Sequence, residues 1–157
     1  MKVLIIYHSE HHGNTEKVAK AMGGAVGANI IKSEDYNLDN ENQPIKLYDI
    51  IGLGSGIYSG KHHKNLIKIA ENIPENCGVK VFIFSTSGVD ALSHGYHEAL
   101  KRALNSKGIK IIGEFNCLGF DTALISSGIN KGRPDKNDLE NAKNFIIKLV
   151  KENSNNR

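Results

Sequence analysis

One turn constrains this chain more than any other stretch, namely Ser9-Glu10-His11-His12-Gly13-Asn14-Thr15. It follows an apolar run at residues 3–7 and precedes apolar residues with helical spacing that begin at Val18. This pattern predicts a strand, a loop and a helix N-terminus. The first N–H groups of a helix lack partners within the helix, so the hydroxyls of Ser9 and Thr15 beside Gly13 could surround a phosphate. The same residue types also cap helices, so both interpretations of the turn stay open.

Length and composition limit the classes of protein to consider. A chain of 157 residues can bury a core of its own, and we expect one domain over residues 1–153 with a frayed tail at 154–157. No apolar run reaches the roughly 18 residues of a membrane helix, and no signal peptide precedes the first strand. We therefore expect a cytoplasmic protein that does not bind membranes.

The net charge and the cysteine content indicate neither a nucleic-acid partner nor a disulfide framework. The net charge is only +3, and the scattered Lys and Arg residues predict no nucleic-acid partner. Cys77 and Cys117 lie far apart in sequence without a CxxC motif. Reduced thiols are the favoured interpretation, and a disulfide is the alternative.

The remainder of the chain alternates between strand and helix patterns. Further strands are predicted at 29–31, 48–53, 79–84 and 109–115, and further helices near 66–73, 100–104 and 139–150. Asp135 is the predicted N-cap of the last helix. This order predicts an α/β three-layer sandwich, a flavodoxin-like arrangement in which a five-stranded parallel sheet of order 2-1-3-4-5 carries helices on both faces.

Three turns should meet at the carboxyl edge of that sheet, after strands 1, 3 and 4. Their sequences are SEHHGNT, GSGIYSG and STSG. Ligands of such sheets bind at this edge, beside the first strand. Three turns rich in hydroxyls and glycine at one edge therefore predict a ligand that carries a phosphate.

Other phosphate-binding motifs do not fit the sequence. A P-loop needs four residues between its glycines, whereas five separate Gly54 from Gly60, and His62 stands where Ser or Thr would hold magnesium. GxGxG after the third strand is not the dinucleotide fingerprint. A receiver domain would need acidic residues at the ends of strands 1 and 3, where His8-Ser9 and Gly54-Ser55 stand.

With these residues assembled, the sequence resembles the flavodoxin family over nearly its whole length. Residues 5–9 with Gly13, Thr15 and Ala19 match the family's phosphate-loop pattern, and Met22 stands where the family usually has Leu, Ile or Val. GSGIYSG looks like the family's second flavin loop, with Gly56 in place of its Pro. The resemblance implies FMN as the cofactor.

The resemblance also implies which residues bind that cofactor. The first loop would hold the phosphate, and the second and third loops would flank the isoalloxazine ring. The residues are Ser9, Glu10, His11, His12, Gly13, Asn14 and Thr15 in the first loop, Ser55, Gly56, Ile57, Tyr58, Ser59 and Gly60 in the second, and Ser85, Thr86, Ser87 and Gly88 in the third. We favour stacking of Tyr58 on the flavin, whereas Tyr96 could equally pack against the sheet.

Two features stay open at this stage. The chain has seven histidines, but no acidic ligand accompanies a pair at a familiar spacing, so we expect no metal site and expect His62 and His63 to border the flavin. Residues 118–134 form a long connection rich in glycine. It either covers the flavin edge or docks a partner, or it is a passive surface loop.

Three functions are compatible with this pattern. The favoured one is a low-potential one-electron carrier between redox partner proteins, in which FMN performs the chemistry, no residue is catalytic and the protein acts as a monomer. The second is a flavin-dependent quinone or porphyrinogen oxidoreductase on the same scaffold. The third is a nonredox binding domain without flavin, which a fold alone does not exclude.

Overall fold

A parallel sheet forms the centre of the protein, shown here by a computed structural model that describes residues 1–37, 45–123 and 125–155. Its strands are β1 (Val3–His8), β2 (Asn29–Lys32), β3 (Ile50–Tyr58), β4 (Lys61–His62), β5 (Lys80–Ser87) and β6 (Lys110–Leu118). The order is β2-β1-β3-β5-β6, and all neighbours in this path are parallel. The predicted fold class and strand order are therefore confirmed, with β4 as an additional strand antiparallel to β3.

Helices cover both faces of the sheet, as predicted. They are α1 (Asn14–Val26), α2 (Lys64–Glu71), α3 (Glu98–Ser106) and α4 (Lys136–Ser154), and a short 3₁₀ turn spans Ile45–Leu47. On one face, Leu66 of α2 and Leu100 of α3 pack on the sheet. On the other face, Met22 of α1 and Ile146 of α4 do so. The strands between these layers are buried on both sides, which explains their continuous apolar runs.

The last helix begins and ends with side-chain hydrogen bonds. Asp135 accepts from the backbone N–H of Asp138, and the Asp138 carboxylate accepts from the backbone N–H of Asp135, so the predicted cap is a complete capping box. At the other end, Asn153 is buried and its amide donates to the Leu149 carbonyl. The helix thus includes Ser154, where a frayed tail was expected, and residues 156–157 lie outside the described part of the chain.

The second predicted turn is the main local difference. The stretch Gly54 to Tyr58 continues β3, and only Ser59 and Gly60 turn the chain into β4. Both turn residues have positive φ, 50° and 77°, as two-residue hairpin turns of type I′ require. Glycine-rich sequence normally indicates a loop, so the strand was not recognisable from the sequence. Similarly, β6 extends to Leu118, and the connection after it begins at Gly119.

The helices described above are all too short or too polar to cross a membrane.

Candidate functional site

A cavity of about 480 Å³ lies at the carboxyl edge of β1, β3 and β5. Its size is typical of small-molecule sites. The three predicted turns meet there and contribute Glu10, His11, His12, Asn14, Thr15, Gly56, Ile57, Tyr58, Ser59, Thr86, Ser87 and Gly88 to the wall. The connection after β6 supplies the rest of the wall, namely Gly119, Phe120, Asp121, Thr122 and Ala123.

Five of the predicted binding residues do not line the cavity, namely Ser9, Gly13, Ser55, Gly60 and Ser85. The Ser9 hydroxyl instead accepts from the backbone N–H of Glu16 at 3.3 Å. Ser55 and Ser85 are fully buried and bond to histidines. Gly13 and Gly60 both have positive φ, a backbone conformation that glycine adopts readily because it has no Cβ.

The start of α1 combines a side-chain cap with groups that suit a ligand. The N-cap is Gly13, which has no side chain, and the Ser9 hydroxyl caps this end by accepting from the backbone N–H of Glu16. The Thr15 hydroxyl lies 2.8 Å from the Thr86 hydroxyl on the neighbouring loop. Asn14 donates from Nδ2 to the Phe120 carbonyl at 2.8 Å, while its buried Oδ1 has no hydrogen-bond partner among the described residues. A helix N-terminus beside an unsatisfied acceptor on a cavity wall is typical of a ligand site.

Residues 119–134, which we call the wall loop, fix this end of the cavity. Residue 124 lies outside the described part of the chain. The Phe120 ring packs on His12 with centroids 4.4 Å apart, and the Thr122 hydroxyl lies 3.3 Å from His12 Nε2. Asn130 donates to the carbonyl of Gly88 at 2.8 Å. The loop therefore joins the first turn to the third, which favours the covering role over the passive one.

A cluster of histidines and carboxylates lies behind the first turn. His8 is 3% exposed, with Nε2 2.9 Å from Glu10 Oε1 and Nδ1 2.6 Å from Glu34 Oε1. Carboxylates only accept hydrogen bonds, so His8 donates from Nε2 to Glu10, while its Nδ1 also lies 3.1 Å from the Ser33 hydroxyl. The hydrogen bond from His8 is the largest cause that lowers the pKa of Glu10. The cluster thereby holds the first turn against β1.

Three residues of this cluster carry atoms that could bind a metal ion, but their rings are not oriented toward a common point. His8, Glu10 and His63 each offer one atom, within 4.8 Å of one another. However, the His8 and His63 rings are stacked 3.5 Å apart at 7°, so both in-plane lone pairs cannot point at one ion. His63 Nδ1 also accepts from the backbone N–H of Asn65 at 3.2 Å, which leaves the proton on Nε2. The group is a hydrogen-bonded cluster, and the absence of a bound metal stays a prediction.

The remaining aromatic predictions have mixed outcomes. Tyr58 lines the cavity and contacts His63 edge to face, with centroids 5.2 Å apart. Burial is the largest cause that raises the pKa of Tyr58 to about 12, so its phenol is neutral near pH 7. Tyr96 packs on the hairpin turn, since a Cβ at Gly60 would lie 3.5 Å from its ring. His62 and His63 lie off the cavity wall; His62 is buried and His63 caps α2.

The protein is of the doubly wound α/β class, with a cavity at the carboxyl edge of the sheet beside the first strand, where proteins of this class bind their ligands. The chain belongs to the flavodoxin family, since the flavodoxin domain matches residues 4–118. This family binds flavin, typically FMN.

Similarity to individual proteins extends along nearly the whole chain. An uncharacterized protein of Methanocaldococcus jannaschii is 43% identical over 155 residues, which cover 96% of this chain and 99% of that protein. Among solved structures, a flavodoxin from the domain Archaea has a TM-score of 0.69 at 18% identity, covering 97% of this chain and 98% of its own. Oxidised Flavodoxin 2 from Bacillus cereus has a TM-score of 0.69 at 20% identity, covering 97% and 99%.

Proposed function

We propose that the protein binds one FMN in this cavity and acts as a low-potential one-electron carrier between redox partner proteins. The observation that carries the proposal is the start of α1. There Asn14 and Thr15, the first two residues of α1, line the same cavity as the turns after β3 and β5. Such a terminus favours a terminal phosphate through its backbone N–H groups and its dipole.

The polar groups on the wall fit a phosphorylated flavin. The described wall contains no Lys or Arg, so the phosphate charge would be balanced by the helix dipole and by charge-assisted hydrogen bonds from groups such as the Thr15 hydroxyl. The unsatisfied Oδ1 of Asn14 needs a donor, which a ribityl hydroxyl could supply. Residues Gly56 to Ser59 and the ring of Tyr58 would border the isoalloxazine.

A carrier needs little from the protein beyond binding and electrostatics, because the flavin supplies the electron-transfer chemistry. One observation favours the second candidate, a quinone or porphyrinogen oxidoreductase. His11 and His12 line the cavity and could exchange protons with a substrate. We rank this candidate lower because a carrier requires no such group, and both candidates act as soluble monomers in our proposal.

Absorption spectroscopy of the purified protein is the first test. We expect flavin bands, or their appearance on titration with FMN, and much weaker binding of riboflavin, which lacks the phosphate. Equal affinity for riboflavin would contradict the assigned phosphate site. No binding of either flavin would support the nonredox alternative.

Turnover assays then separate carrier from enzyme. We expect the loaded protein to pass electrons to an acceptor protein such as cytochrome c after chemical reduction. We also expect no steady oxidation of NAD(P)H by quinone when the protein is supplied alone. Sustained turnover without a second protein would select the oxidoreductase.

A further inference from the structure

Two buried histidines lie behind the second loop, on the α2 and α3 side of the sheet. His62 and His97 are each 2% exposed, and their ring centroids are 4.8 Å apart. His62 Nδ1 lies 2.9 Å from the Ser55 hydroxyl, and His97 Nε2 lies 2.7 Å from the Ser85 hydroxyl. The two serines are directly paired on β3 and β5. The proposed electron transfer assigns no role to this pair.

Hydrogen-bond donors and acceptors distinguish the two rings. His97 Nδ1 lies 3.0 Å from Glu114 Oε2, and a carboxylate only accepts, so Nδ1 carries the proton and Nε2 accepts from the Ser85 hydroxyl. Both nitrogens of His97 are therefore satisfied. Glu114 is 28% exposed and connects this end of the pair to solvent.

His62 has one nitrogen without a partner. The Ser55 hydroxyl donates to the Gly56 carbonyl at 2.6 Å and accepts from the backbone N–H of His63 at 3.0 Å. Its only proton is thus used, so His62 donates from Nδ1 to Ser55 and keeps a bare lone pair on Nε2. No described residue donates to that atom. A buried acceptor without a donor is costly, and such groups in native proteins commonly have a functional reason.

The surroundings keep His62 neutral in the structure described here. Burial is the largest cause that lowers the pKa of His62 well below its usual value, followed by repulsion from His97. Burial likewise lowers the pKa of His97, although Glu114 opposes this shift. Close to the two histidines in sequence, further charged or titratable side chains are Lys61, His63 and Lys64 beside His62, and Tyr96, Glu98 and Lys101 beside His97. An additional negative charge near the second loop would favour a proton on His62.

We propose that His62 is the proton-binding group coupled to reduction of the flavin. This inference rests on the proposed function. When an external redox protein donates an electron to the flavin, the added negative charge is balanced by one proton taken from solvent onto His62 Nε2. Oxidation reverses both transfers. Ser55 connects the site to the flavin loop, because the same hydroxyl that binds His62 also binds Gly56 and the backbone of His63.

Histidine-selective ¹⁵N NMR of the wild-type protein tests the proposal directly. The His62 signals are assigned by their loss in His62→Gln. We expect a neutral ring between pH 5 and 8 in the apo and oxidised forms, and a protonated ring at the lower end of this range after reduction. A ring that stays neutral on reduction, or is already protonated when oxidised, overturns the proposal.

Potentiometry provides the second measurement. Where reduced His62 titrates, each tenfold change in proton concentration should shift the one-electron potential by up to about 59 mV. Protonation of the flavin itself is visible in its absorption spectrum, and its contribution is subtracted. The remaining pH dependence of the potential should then be absent in His62→Gln. His94→Gln, an exposed histidine, should leave it unchanged. An unchanged slope in His62→Gln overturns the proposal. If the wild-type protein binds no flavin, the proposed function itself is overturned.

Discussion

Single residues at the start of α1 determine what the cavity can bind. Thr15 and Asn14 are both helical, yet neither side chain is used within its own helix. The Thr15 hydroxyl bonds to Thr86, and the Asn14 amide bonds to Phe120 of the wall loop. In the first turn, Ser9 caps the helix by accepting from the backbone N–H of Glu16, and the N-cap position itself is Gly13, which has no side chain. The Oδ1 atom of Asn14 has no partner among the described residues, so this acceptor is available to a ligand.

Thr15→Val tests this assignment at one atom. The substitution keeps the shape of the side chain but removes a hydroxyl that would bond to a charged phosphate, a bond worth about 1.5–3 kcal/mol. We expect FMN affinity in fluorescence titrations to fall by roughly tenfold to a hundredfold. Affinity for riboflavin should hardly change. Thr86→Val is the matched control, since it removes the same hydrogen bond between the two threonines. Equal losses for both flavins would indicate a structural effect instead.

At the scale of elements, the wall loop is as much a part of the site as the three turns. It touches the first turn through His12 and Asn14 and the third turn through Gly88. Asp121 and Ile129 form an antiparallel bridge within it. These contacts give the loop a fixed path, so the cavity should lose shape when they are removed.

Asn130→Gly should loosen the wall loop without straining it. Asn130 has a φ of 56°, which glycine adopts freely, and its amide donates to the carbonyls of Gly88 and Gly119. Each neutral hydrogen bond contributes about 1 kcal/mol. We expect faster amide exchange in residues 119–123 and FMN binding weaker by about tenfold. Asn144→Gly, on an exposed face of α4, should leave FMN affinity unchanged. Unchanged exchange in Asn130→Gly would contradict the fixed path.

Arg133 joins the wall loop to the start of α4 through ion pairs with Asp138 and with the N-cap Asp135, whose Oδ2 lies 3.6 Å from Arg133 Nε. Arg133 contacts both carboxylate oxygens of Asp138, with Nη2 2.7 Å from Oδ1. The hydrogen bond from Arg133 is the largest cause that lowers the pKa of Asp138. A lowered pKa in the folded state means a stabilising contribution above the unfolded-state pKa of about 3.9. This contribution is lost as the pH falls through the folded-state pKa.

Asp138→Asn should therefore destabilise the fold in a pH-dependent way. We expect urea unfolding at pH 7 to show a loss of about 2 kcal/mol. The difference from wild type should shrink as the pH falls below about 3.9. Glu140→Gln removes an exposed carboxylate that pairs with Lys143 at 3.3 Å, and it should change stability by less than about 0.5 kcal/mol. A loss in Asp138→Asn that is independent of pH would contradict the ion-pair explanation.

For the whole molecule, the sequence predicts the layers and the sheet order because buried parallel strands and amphipathic helices have strong periodic patterns. It also predicts that the segments after the first, third and fourth predicted strands meet at one edge, since their place follows from topology, although Gly54 to Tyr58 continue β3 where a turn was predicted. It does not predict β4, because Gly54 and Gly56 are typical of a loop and so obscure the continuation of β3, with which β4 pairs. Phe120 and Asp121 were equally unrecognisable, because a long loop has no period that would show where it folds back. The pairing of His62 with His97 depends on tertiary contacts between segments far apart in sequence.

The balance of charge around the site should set the reduction potential, and Lys61 is the residue that tests this. It is exposed and pairs with Tyr58 of the cavity wall in the β3–β4 hairpin. Reduction adds negative charge to the flavin, and a nearby cation stabilises it by an energy on the order of 1 kcal/mol. For one electron this corresponds to about 40 mV, so Lys61→Glu should lower the potential by roughly twice that amount at low ionic strength. Lys148→Glu makes the same change in net charge on the exposed side of α4 and should shift the potential far less. Anaerobic titration of both variants measures the two shifts. Equal small shifts would mean that solvent screens the charge of Lys61 from the flavin. A Lys61→Glu shift that persists at high salt would mean that the field of Lys61 reaches the flavin through the protein.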